Sequence, residues 1–439
     1  MLLNTDDYIT QCTNHLSDTS TYRLASNYPR CDIKKQLRNT IISFKPQICQ
    51  YSKKLYEFLL SEPDHCRIPQ FYGIPKIHKK FTRVPPIRPI VSQCSSMLNP
   101  TARFVDHVLQ PLAQAYGDYL HNSTSLSLVL QNFSVPEDAI LVTLDVSNLY
   151  PSILQTDMLR IVYDEMVQHR HLLLFDPNLI IKLLYTNINH NYFEFTSLIF
   201  QQIKGTAMGA PFSPTVANIY MSVTIRRFLR TQTKRPLLLS RYIDDIFLIW
   251  TYTVKDLIQF LTNMNNFNSA LRYTHHYSSS SVDFLDLTIY KGPLFPFTSI
   301  LDTKTFQKSH NLYQYLHYTS CHQKTVYQSI ISREFVRYVR TNTSELNYDI
   351  MKNLFKKRLL ARGYPKKLVE TTSATVLYKN RRQFLTNSKV PQPKYYPPLY
   401  KCPLPPQYKL LKHIVLENYR TLQNKCAAVY PTKICHTTG

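Results

Sequence analysis

The sequence predicts an α/β protein of the α+β type, in which strands alternate with long helices, and three observations support this class. Residues 139–146 form a β-rich apolar run that ends beside an acid and leads into a turn. Residues 237–250 contain two apolar segments around a pair of acids, which is the pattern of a β-hairpin. Residues 156–185 and 215–229 instead place apolar side chains at helical spacing, so helices join the strands.

Asp244 and Asp245 occupy the turn of this hairpin, where Asn-Gly would be typical. Two like charges beside an apolar core are costly unless a cation neutralises them. Adjacent acids most often form solvated surface turns, but the apolar strands on both sides favour a divalent metal site here. If the strand that ends near Asp145 is a neighbour of the hairpin in one sheet, the three carboxylates converge.

Three convergent carboxylates are typical of two-metal chemistry, in which ions ~3.5–4 Å apart activate a 3′-hydroxyl and stabilise the departing pyrophosphate. Mg²⁺ needs few protein carboxylates when substrate phosphates complete its shell, so we expect two Mg²⁺ ions, with Mn²⁺ as the alternative. Asp145 and Asp244 are expected to bridge the ions, assisted by the Val146 carbonyl. Asp245 is expected to lie just outside this set or to coordinate in part.

Length and composition limit the class of protein. With 439 residues, of which 44% are apolar, the chain can bury a large core and is expected to contain two or three domains. No run approaches ~18 uncharged apolar residues, so no transmembrane helix is expected, and the N-terminus lacks the pattern of a signal peptide. The nine cysteines include no CxxC pair, which favours free thiols in a reducing compartment. We expect a nuclear or cytoplasmic protein, with the nucleus favoured, and not a secreted one.

The C-terminal third carries most of the positive charge. The formal net charge is +24, and residues 301–439 contain 24 Lys and Arg against six Asp and Glu. The first 300 residues are nearly balanced, with 28 against 22. A solubilising surface normally mixes both signs, so this imbalance favours nucleic acid as a partner. A zinc site is an alternative for the same region, but the spacing of its candidate ligands matches no zinc finger: Cys402, His413, Cys426, Cys435 and His436.

Several motifs resemble the palm motifs of reverse transcriptases in their order and approximate spacing. They are TLDVSNLY at 143–150, GTAMGAPFSP at 205–214 and YIDD at 242–245. Further segments narrow the resemblance to Penelope-like retroelement enzymes, which are relatives of telomerase reverse transcriptase, and together the motifs extend over about residues 5–370. These segments are FYGIPKIHK at 71–79, RPIVS at 88–92, FLDL at 284–287, YLHYTS at 315–320 and ARGYP at 361–365.

The resemblance implies a right-hand polymerase with fingers, a palm built on an antiparallel sheet, and a helical thumb. It also implies RNA-directed DNA synthesis, with an RNA template, a DNA primer and dNTPs as partners, and it indicates no membrane and no particular protein partner. The expected divisions are an N-terminal helical part of the fingers at 1–70, fingers at 71–138, palm at 139–305, thumb at 306–372 and a proline-rich basic tail at 373–439.

The resemblance further implies residues that hold the nucleotide. Lys76 and Arg88, on a basic fingers hairpin, are expected to hold the triphosphate through charge-assisted hydrogen bonds. The alternative is that they are ordinary surface cations on a strand pair. The loop with Gly205, Met208 and Gly209 resembles the segment that lies against the template–nucleotide pair. Its glycines would permit close backbone approach, and Met208 would contact the incoming base.

Tyr150 lies five residues after Asp145, where reverse transcriptases place an aromatic steric gate. A bulky ring beneath the sugar leaves no room for a 2′-hydroxyl, the group that separates RNA precursors from DNA precursors. RNA replicases of similar palm design usually have glycine before the acid pair, whereas this chain has Ile243. Both features favour deoxynucleotides. A core tyrosine is the alternative for this position, and an RNA polymerase is the alternative for the chain.

The basic segment 352–367 suits a thumb helix that grips the backbone of a duplex. Such contacts are salt-sensitive and independent of base sequence. The side chains expected to make them are Lys352, Lys356, Lys357, Arg358, Arg362 and Lys366.

The chain departs from the family pattern near both ends. A GIY-YIG endonuclease usually follows the thumb, and no such pair of motifs occurs after residue 370. A basic segment that usually precedes the first motif does not occur either. We therefore expect no self-contained target cleavage and fingers that are present only in part. The alternative to a polymerase is a nucleic-acid-binding remnant without catalytic activity.

Overall fold

A computed structural model of the protein shows two compact units. Unit 1 comprises Met1–Asn122 and Val135–Phe284, and unit 2 comprises Ser123–Ser134 and Leu285–Gly439. The zinc candidates and most of the expected tail lie outside the described residues, which are 3–61, 66–77, 81, 84–308 and 311–386.

The helices of the described chain are numbered in chain order, and α6 and α12–α16 belong to unit 2. They are α1 (Thr5–Leu16), α2 (Arg30–Ser43), α3 (Lys45–Tyr51), α4 (Lys53–Leu60), α5 (Asn99–Gln114), α6 (Ser123–Leu130), α7 (Leu149–Ser152), α8 (Gln155–Gln168), α9 (Pro177–Asn189), α10 (Ser213–Thr231), α11 (Val254–Phe267), α12 (Phe295–Thr298), α13 (Lys324–Thr341), α14 (Glu345–Ala361), α15 (Lys366–Ala374) and α16 (Arg381–Thr386).

The strands are numbered in the same way, and the last two belong to unit 2. They are β1 (Tyr22–Ala25), β2 (Gln70–Pro75), β3 (Ile87–Ser92), β4 (Ile140–Val146), β5 (Tyr192–Phe195), β6 (Leu198–Gln202), β7 (Leu238–Tyr242), β8 (Asp245–Trp250), β9 (Tyr273–Ser278), β10 (Ser281–Phe284), β11 (Leu287–Tyr290) and β12 (Asp302–Thr305).

A four-stranded antiparallel sheet with the order β7-β8-β4-β9 carries the predicted acids. Strand β4 pairs with β8 in a register that places Leu141 opposite Ile249 and Asp145 opposite Asp245. Residues 246–250 are wholly buried, because β8 lies between two partner strands with both of its faces covered. The sheet confirms the antiparallel palm and the expected proximity of the two acid-bearing elements.

Helices α5, α8, α9 and α10 pack against one another in unit 1 and share one hydrophobic core with the palm sheet. Every residue of α10 from Thr215 to Ile225 is buried. A helix that is buried all round must find hydrogen-bond partners for its polar side chains. Asn218 and Ser222 are two such buried polar side chains, and they find a partner on β7.

A second sheet of unit 1 contains five strands in the order β1-β6-β5-β2-β3. Strands β2 and β3 form the expected hairpin, with Gly73 opposite Pro89. Part of its connecting turn lies outside the described residues. A cluster of aromatic rings stabilises this sheet: the centroid of the buried Phe193 ring lies 5.5 Å from that of Phe71 and 5.8 Å from that of Phe200.

Unit 2 contains the hairpin of β11 and β12 and a helical core formed by α13, α14 and α15. The expectation of one helix across 352–367 is wrong, because α14 ends at Ala361 and α15 begins at Lys366. Gly363 has a φ of 79°, and Pro365 follows it, so left-handed backbone and a proline end the helix there. No described helix of the chain is long and apolar enough to cross a membrane.

Replacement of Phe193 by Ala tests the aromatic cluster of the second sheet. Loss of a fully buried ring leaves a cavity and is expected to lower the free energy of unfolding by about 3–5 kcal/mol. Chemical denaturation followed by circular dichroism measures this change. Phe58→Ala is the control, because Phe58 is 43% exposed and its truncation should cost far less. Equal losses in the two variants would contradict this account of the cluster.

Candidate active site

The three predicted acids lie together at one end of the palm sheet. Directly opposed residues of antiparallel strands share a face of the sheet, with Cβ atoms ~4.5–5.5 Å apart, and the register opposes Asp145 and Asp245. Ile243 and Asp244 form the turn between β7 and β8. Asp145 is exposed, whereas Asp244 and Asp245 are half-buried. The sequence therefore identified both the acids and the convergence between them.

The electrostatic environment of Asp244 disfavours its charged form. Burial raises the pKa of this carboxyl above its ordinary value, and the nearby carboxylate of Asp145 raises it further. The guanidinium groups of Arg88 and Arg241 act in the opposite direction. Without a cation, the turn thus holds a carboxyl group that is biased toward its protonated state.

The donor set at this turn fits a hard divalent cation. Its carboxylates supply the oxygen ligands that Mg²⁺ prefers, and the backbone N–H of Val146 donates to the Asp244 carbonyl over 3.2 Å, which ties β4 to the turn. Among the residues that the structure describes, no group of three or more His, Cys, Asp or Glu side chains is placed so that it could hold a metal ion.

Tyr150 lies beside the acid turn, at the start of α7. Asn148, with a φ of 51°, reverses the chain between β4 and α7, a conformation that Asn tolerates well. The ring of Tyr150 is half-buried, and burial followed by the charge of Asp244 raises the pKa of its hydroxyl to about 12. Arg88 opposes this shift. The structure thus brings Tyr150, Asp244 and Arg88 into electrostatic contact.

The glycine-containing loop holds Tyr150 in place through backbone contacts. The N–H of Thr206 donates to the Tyr150 carbonyl over 2.9 Å, and the N–H of Val91 on β3 donates to the Met208 carbonyl over 2.8 Å. The side chain of Gln155 donates to the Gly205 carbonyl over 3.0 Å. The loop therefore connects α7 with the strand that carries Arg88.

Both loop glycines are required by these backbone contacts. A Cβ on Gly205 would lie 2.4 Å from the Tyr150 carbonyl oxygen, and one on Gly209 would lie 2.4 Å from that of Val91. Their φ values are 72° and 116°, in the region that favours glycine. As expected, the glycines allow another backbone to come close, but the backbone that does so here belongs to Tyr150 and Val91 of the same chain. Contacts of this loop and of Met208 with a nucleotide remain predictions.

The two cations of the fingers hairpin differ in their surroundings. Arg88 is exposed and acts on both Asp244 and Tyr150, so the structure places it at the site. The Lys76 N–H donates to the Pro86 carbonyl over 2.7 Å, next to the hairpin turn. Together with burial, the charge of Lys76 lowers the pKa of His15. A role of Lys76 in binding a triphosphate stays a prediction.

Arg241 is a residue of this site that the sequence reasoning missed. It is wholly buried on β7, forms an ion pair with Asp118 over 2.8 Å, and donates to the carbonyl of Ile243 in the turn over 3.0 Å. An Arg inside an apolar strand is itself a signal, because a buried charge requires a partner. The partners lie more than 100 residues away or on another element, so the sequence alone does not reveal them.

The six basic residues of the expected thumb differ in how they are used. Lys357 and Lys366 are exposed, and Lys352 pairs with Asp349 over 3.0 Å. Two of the other cations also make contacts within unit 2, and their contacts with a duplex stay a prediction. Arg358 lies 4.3 Å from the centre of the Tyr313 ring, and Arg362 donates to the Tyr315 carbonyl over 2.8 Å. Lys356 lies half-buried on α14.

Comparison with known families assigns two segments of the chain. Residues 77–276 match the family described as reverse transcriptase (RNA-dependent DNA polymerase). This segment contains the three acids, Arg88 and Tyr150. Residues 314–374 match the animal helix-turn-helix domain, a segment that includes α13, α14 and α15.

The chain is similar to several solved polymerase structures. Telomerase from Candida albicans, in complex with a fragment of telomeric RNA, is 12% identical with a TM-score of 0.50, over 73% of this chain and 62% of that one. The apo telomerase from Candida tropicalis is 11% identical with a TM-score of 0.42, over 72% and 59%. The Sicinivirus RNA-dependent RNA polymerase is 13% identical with a TM-score of 0.45, over 74% and 71%.

The match to the Candida albicans telomerase supports the mixed α/β right-hand polymerase fold. This chain spans less than two thirds of the length of either telomerase. The comparison with curated proteins found no match.

Replacement of Gly205 by Ala tests the contact between the loop and Tyr150. The added Cβ meets backbone atoms that have little freedom to move, and the positive φ adds ~1–2 kcal/mol of strain. We expect a loss of at least about 2 kcal/mol in the free energy of unfolding, measured by denaturant titration. Gly117→Ala is the control, because a Cβ there meets nothing within 4 Å. A stable Gly205→Ala variant would show that the loop does not need this approach.

Proposed function

We propose that this chain is the reverse transcriptase of a Penelope-like retroelement and adds dNTPs to the 3′-hydroxyl of a DNA primer along an RNA template. The observation that carries the proposal is the pairing of β4 with β8, which opposes Asp145 and Asp245 and sets Asp244 beside them. The match of residues 77–276 to the reverse transcriptase family supports it. So does the order of the motifs from 71 to 365.

Two Mg²⁺ ions, or Mn²⁺ in their place, are the proposed cofactors. Asp145 and Asp244 would hold them, with help from Asp245 and the Val146 carbonyl. When bound, such ions activate the attacking hydroxyl and stabilise the leaving pyrophosphate. The raised pKa of Asp244 supports this assignment, because burial and the charge of Asp145 disfavour the ionised carboxyl and a cation beside the turn would stabilise it.

The proposed nucleotide site lies between the acid turn and the fingers hairpin. Arg88 presents an exposed guanidinium next to the acids, which suits charge-assisted binding of a phosphate. Lys76 on the same hairpin is proposed as a second phosphate contact. Tyr150, held through its backbone by the loop at 205–210, is proposed to exclude a 2′-hydroxyl with its ring.

Unit 2 is proposed to bind the template–primer duplex. Lys357 and Lys366 expose their side chains, and Lys352 and Lys356 share α14 with Lys357. The match of residues 314–374 to a helix-turn-helix domain supports a nucleic-acid partner for this helical segment. The Candida albicans telomerase is in complex with RNA, which agrees with an RNA template here. A nuclear location, favoured over the cytoplasm, is part of the same proposal.

Asn substitution of Asp145 or Asp244 tests the reaction. Each variant removes a charged ligand and is expected to lower dNTP incorporation on a primed RNA template by at least about 10³-fold, because the acids act on the transition state. Primer extension measures this loss. Binding of the same primed template, measured by fluorescence anisotropy, should change little. Retained binding with no incorporation by the wild type would favour the non-catalytic alternative.

The raised pKa of Asp244 gives the Asp244→Asn variant a second expected property. The folded state binds this proton more tightly than the unfolded chain does. The free energy of unfolding therefore falls as pH rises from the ordinary pKa of a carboxyl group to the raised pKa of Asp244. Without divalent ions at neutral pH, we therefore expect a higher midpoint of thermal unfolding for Asp244→Asn than for wild type. Asp138→Asn, at an exposed acid, should show no such gain. Added Mg²⁺ should raise the midpoint of wild type and of Asp138→Asn but not that of Asp244→Asn.

Replacement of Tyr150 by Val tests the choice of sugar. A smaller side chain leaves room for a 2′-hydroxyl, so the ratio of kcat/KM for NTPs to that for dNTPs is expected to rise at least about tenfold. Single-nucleotide incorporation with matched NTP and dNTP measures the ratio. Tyr185→Val is the control, because Tyr185 is 48% exposed on α9. An unchanged ratio in an active Tyr150→Val enzyme would assign Tyr150 to the core instead.

A further inference from the structure

The backbone of the acid turn is strained at Ile243. This residue has a φ of 54°, in the left-handed region where a β-branched side chain is an outlier. Its side chain packs against the core of unit 1, which explains why a glycine alone would not serve the same position equally well. A turn in such a conformation persists only when surrounding contacts hold it.

Arg241 supplies a contact of this kind through a fully satisfied guanidinium group. Its Nη1 donates to the Ile243 carbonyl over 3.0 Å and to Asn218 Oδ1 over 2.8 Å. Its Nη2 donates to the Asn218 carbonyl over 3.1 Å and to Ser222 Oγ over 2.6 Å. Its Nε donates to Asp118 Oδ2 over 2.8 Å. All five N–H groups of this buried side chain therefore have an acceptor.

The acceptors of Arg241 belong to elements that are themselves held in place. Asn218 and Ser222 lie on the buried face of α10, and Ser222 Oγ also donates to Asp118 over 2.8 Å. The backbone adds two bonds, from the Arg241 N–H to the Asp118 carbonyl over 2.6 Å and from the Leu120 N–H to the Arg241 carbonyl over 2.8 Å. The guanidinium thus joins the turn to α10 and to the segment 118–120.

We propose that Arg241 is a positioning residue of the active site, which holds the Ile243 carbonyl and so sets the direction of the Asp244 and Asp245 carboxylates. The inference rests on the proposed polymerase function, since it concerns the same acids. A planar fork with five donors is needed for this network. A lysine keeps the charge beside Asp118 but has three donors on one atom, so it cannot hold Asn218, Ser222 and Ile243 together.

Arg241→Lys separates positioning from charge. The variant is expected to lower kcat about 10- to 100-fold with a nearly unchanged KM for dNTP, because small displacements of reacting groups cost rates of this size. Affinity for Mn²⁺, measured by electron paramagnetic resonance on the protein without nucleic acid, is expected to fall by a similar factor. If Arg241→Lys does not fold, Asn218→Ala replaces it, because that variant removes one acceptor of the same Nη1 group.

A second substitution distinguishes positioning from simple stabilisation. Ile243→Gly removes the backbone strain, so the turn no longer depends as strongly on the Nη1 bond. In the Arg241→Lys background, Ile243→Gly is expected to restore at least several-fold of the lost kcat and Mn²⁺ affinity, even though it removes core packing. If Asn218→Ala replaces Arg241→Lys, Ile243→Gly is combined with it and the same recovery is expected. A purely structural role would give no recovery, since the second change would only add to the loss of stability.

Arg226→Lys is the matched control. Arg226 also lies on α10 and pairs with the buried Glu165 on α8 instead of the turn. It should lose stability without a change in Mn²⁺ affinity. Wild-type kcat and Mn²⁺ affinity in Arg241→Lys, or no recovery in the double variant, would overturn the inference. Failure of the wild type to incorporate dNTPs would overturn the polymerase function instead, and the Mn²⁺ titration, which needs no template, would still decide the role of Arg241.

Discussion

The register of the palm sheet, which its buried core sets, is the constraint on which the geometry of the acid turn depends. Pairing of β4 with β8 opposes Asp145 and Asp245, and the turn adds Asp244 in a half-buried position. An apolar sheet whose central strand is wholly buried at 246–250 forces this register, because a shift by one residue would turn the core side chains to solvent. Packing of the core therefore imposes the concentration of negative charge.

Two sets of contacts accommodate this charge. On one side, Arg88 and the hydroxyl of Tyr150 lie within electrostatic reach of Asp244. On the other, the buried guanidinium of Arg241 holds the turn and compensates part of its charge. The pKa of Asp244 nevertheless stays raised, because burial of its carboxyl and the charge of Asp145 outweigh the groups that lower it. A site with unbalanced negative charge and hard oxygen donors is one in which a divalent cation is stabilising.

Hydrogen bonds of the backbone connect sequence motifs that lie far apart in the chain. The loop that begins at Gly205 binds the Tyr150 carbonyl through Thr206 and reaches β3 through Met208. The same loop leads into α10, whose Asn218 and Ser222 bind Arg241. Displacement of α10 would thus affect Tyr150 and the acid turn together. This connection explains why glycines occur in the loop although the whole chain contains only seven.

The expectations for the basic segment 352–367 show what cannot be read from charge alone. The helix expected over 352–367 is interrupted at Gly363 and Pro365. The prediction followed the basic residues of the segment and did not take these two helix-ending residues into account. Arg358 and Arg362 were expected to contact a duplex, and the structure adds that Arg358 lies over the ring of Tyr313 and Arg362 donates to the Tyr315 carbonyl. A count of cations cannot tell a solvated side chain from one that is engaged locally, because that depends on neighbours brought close by folding.

The sequence by itself determined the antiparallel hairpin, the strand that precedes it and the three acids, because alternation and apolar runs are local properties of strands. It also indicated the resemblance to reverse transcriptases, because the order and spacing of motifs can be read without coordinates, and residues 77–276 match that family. The folded chain was needed to show that Asp145 lies opposite Asp245, that the loop glycines approach Tyr150 and Val91, and that Arg241 is buried and bonded to the turn. These features depend on contacts between residues far apart in the chain, and burial and charge compensation exist only once those residues meet.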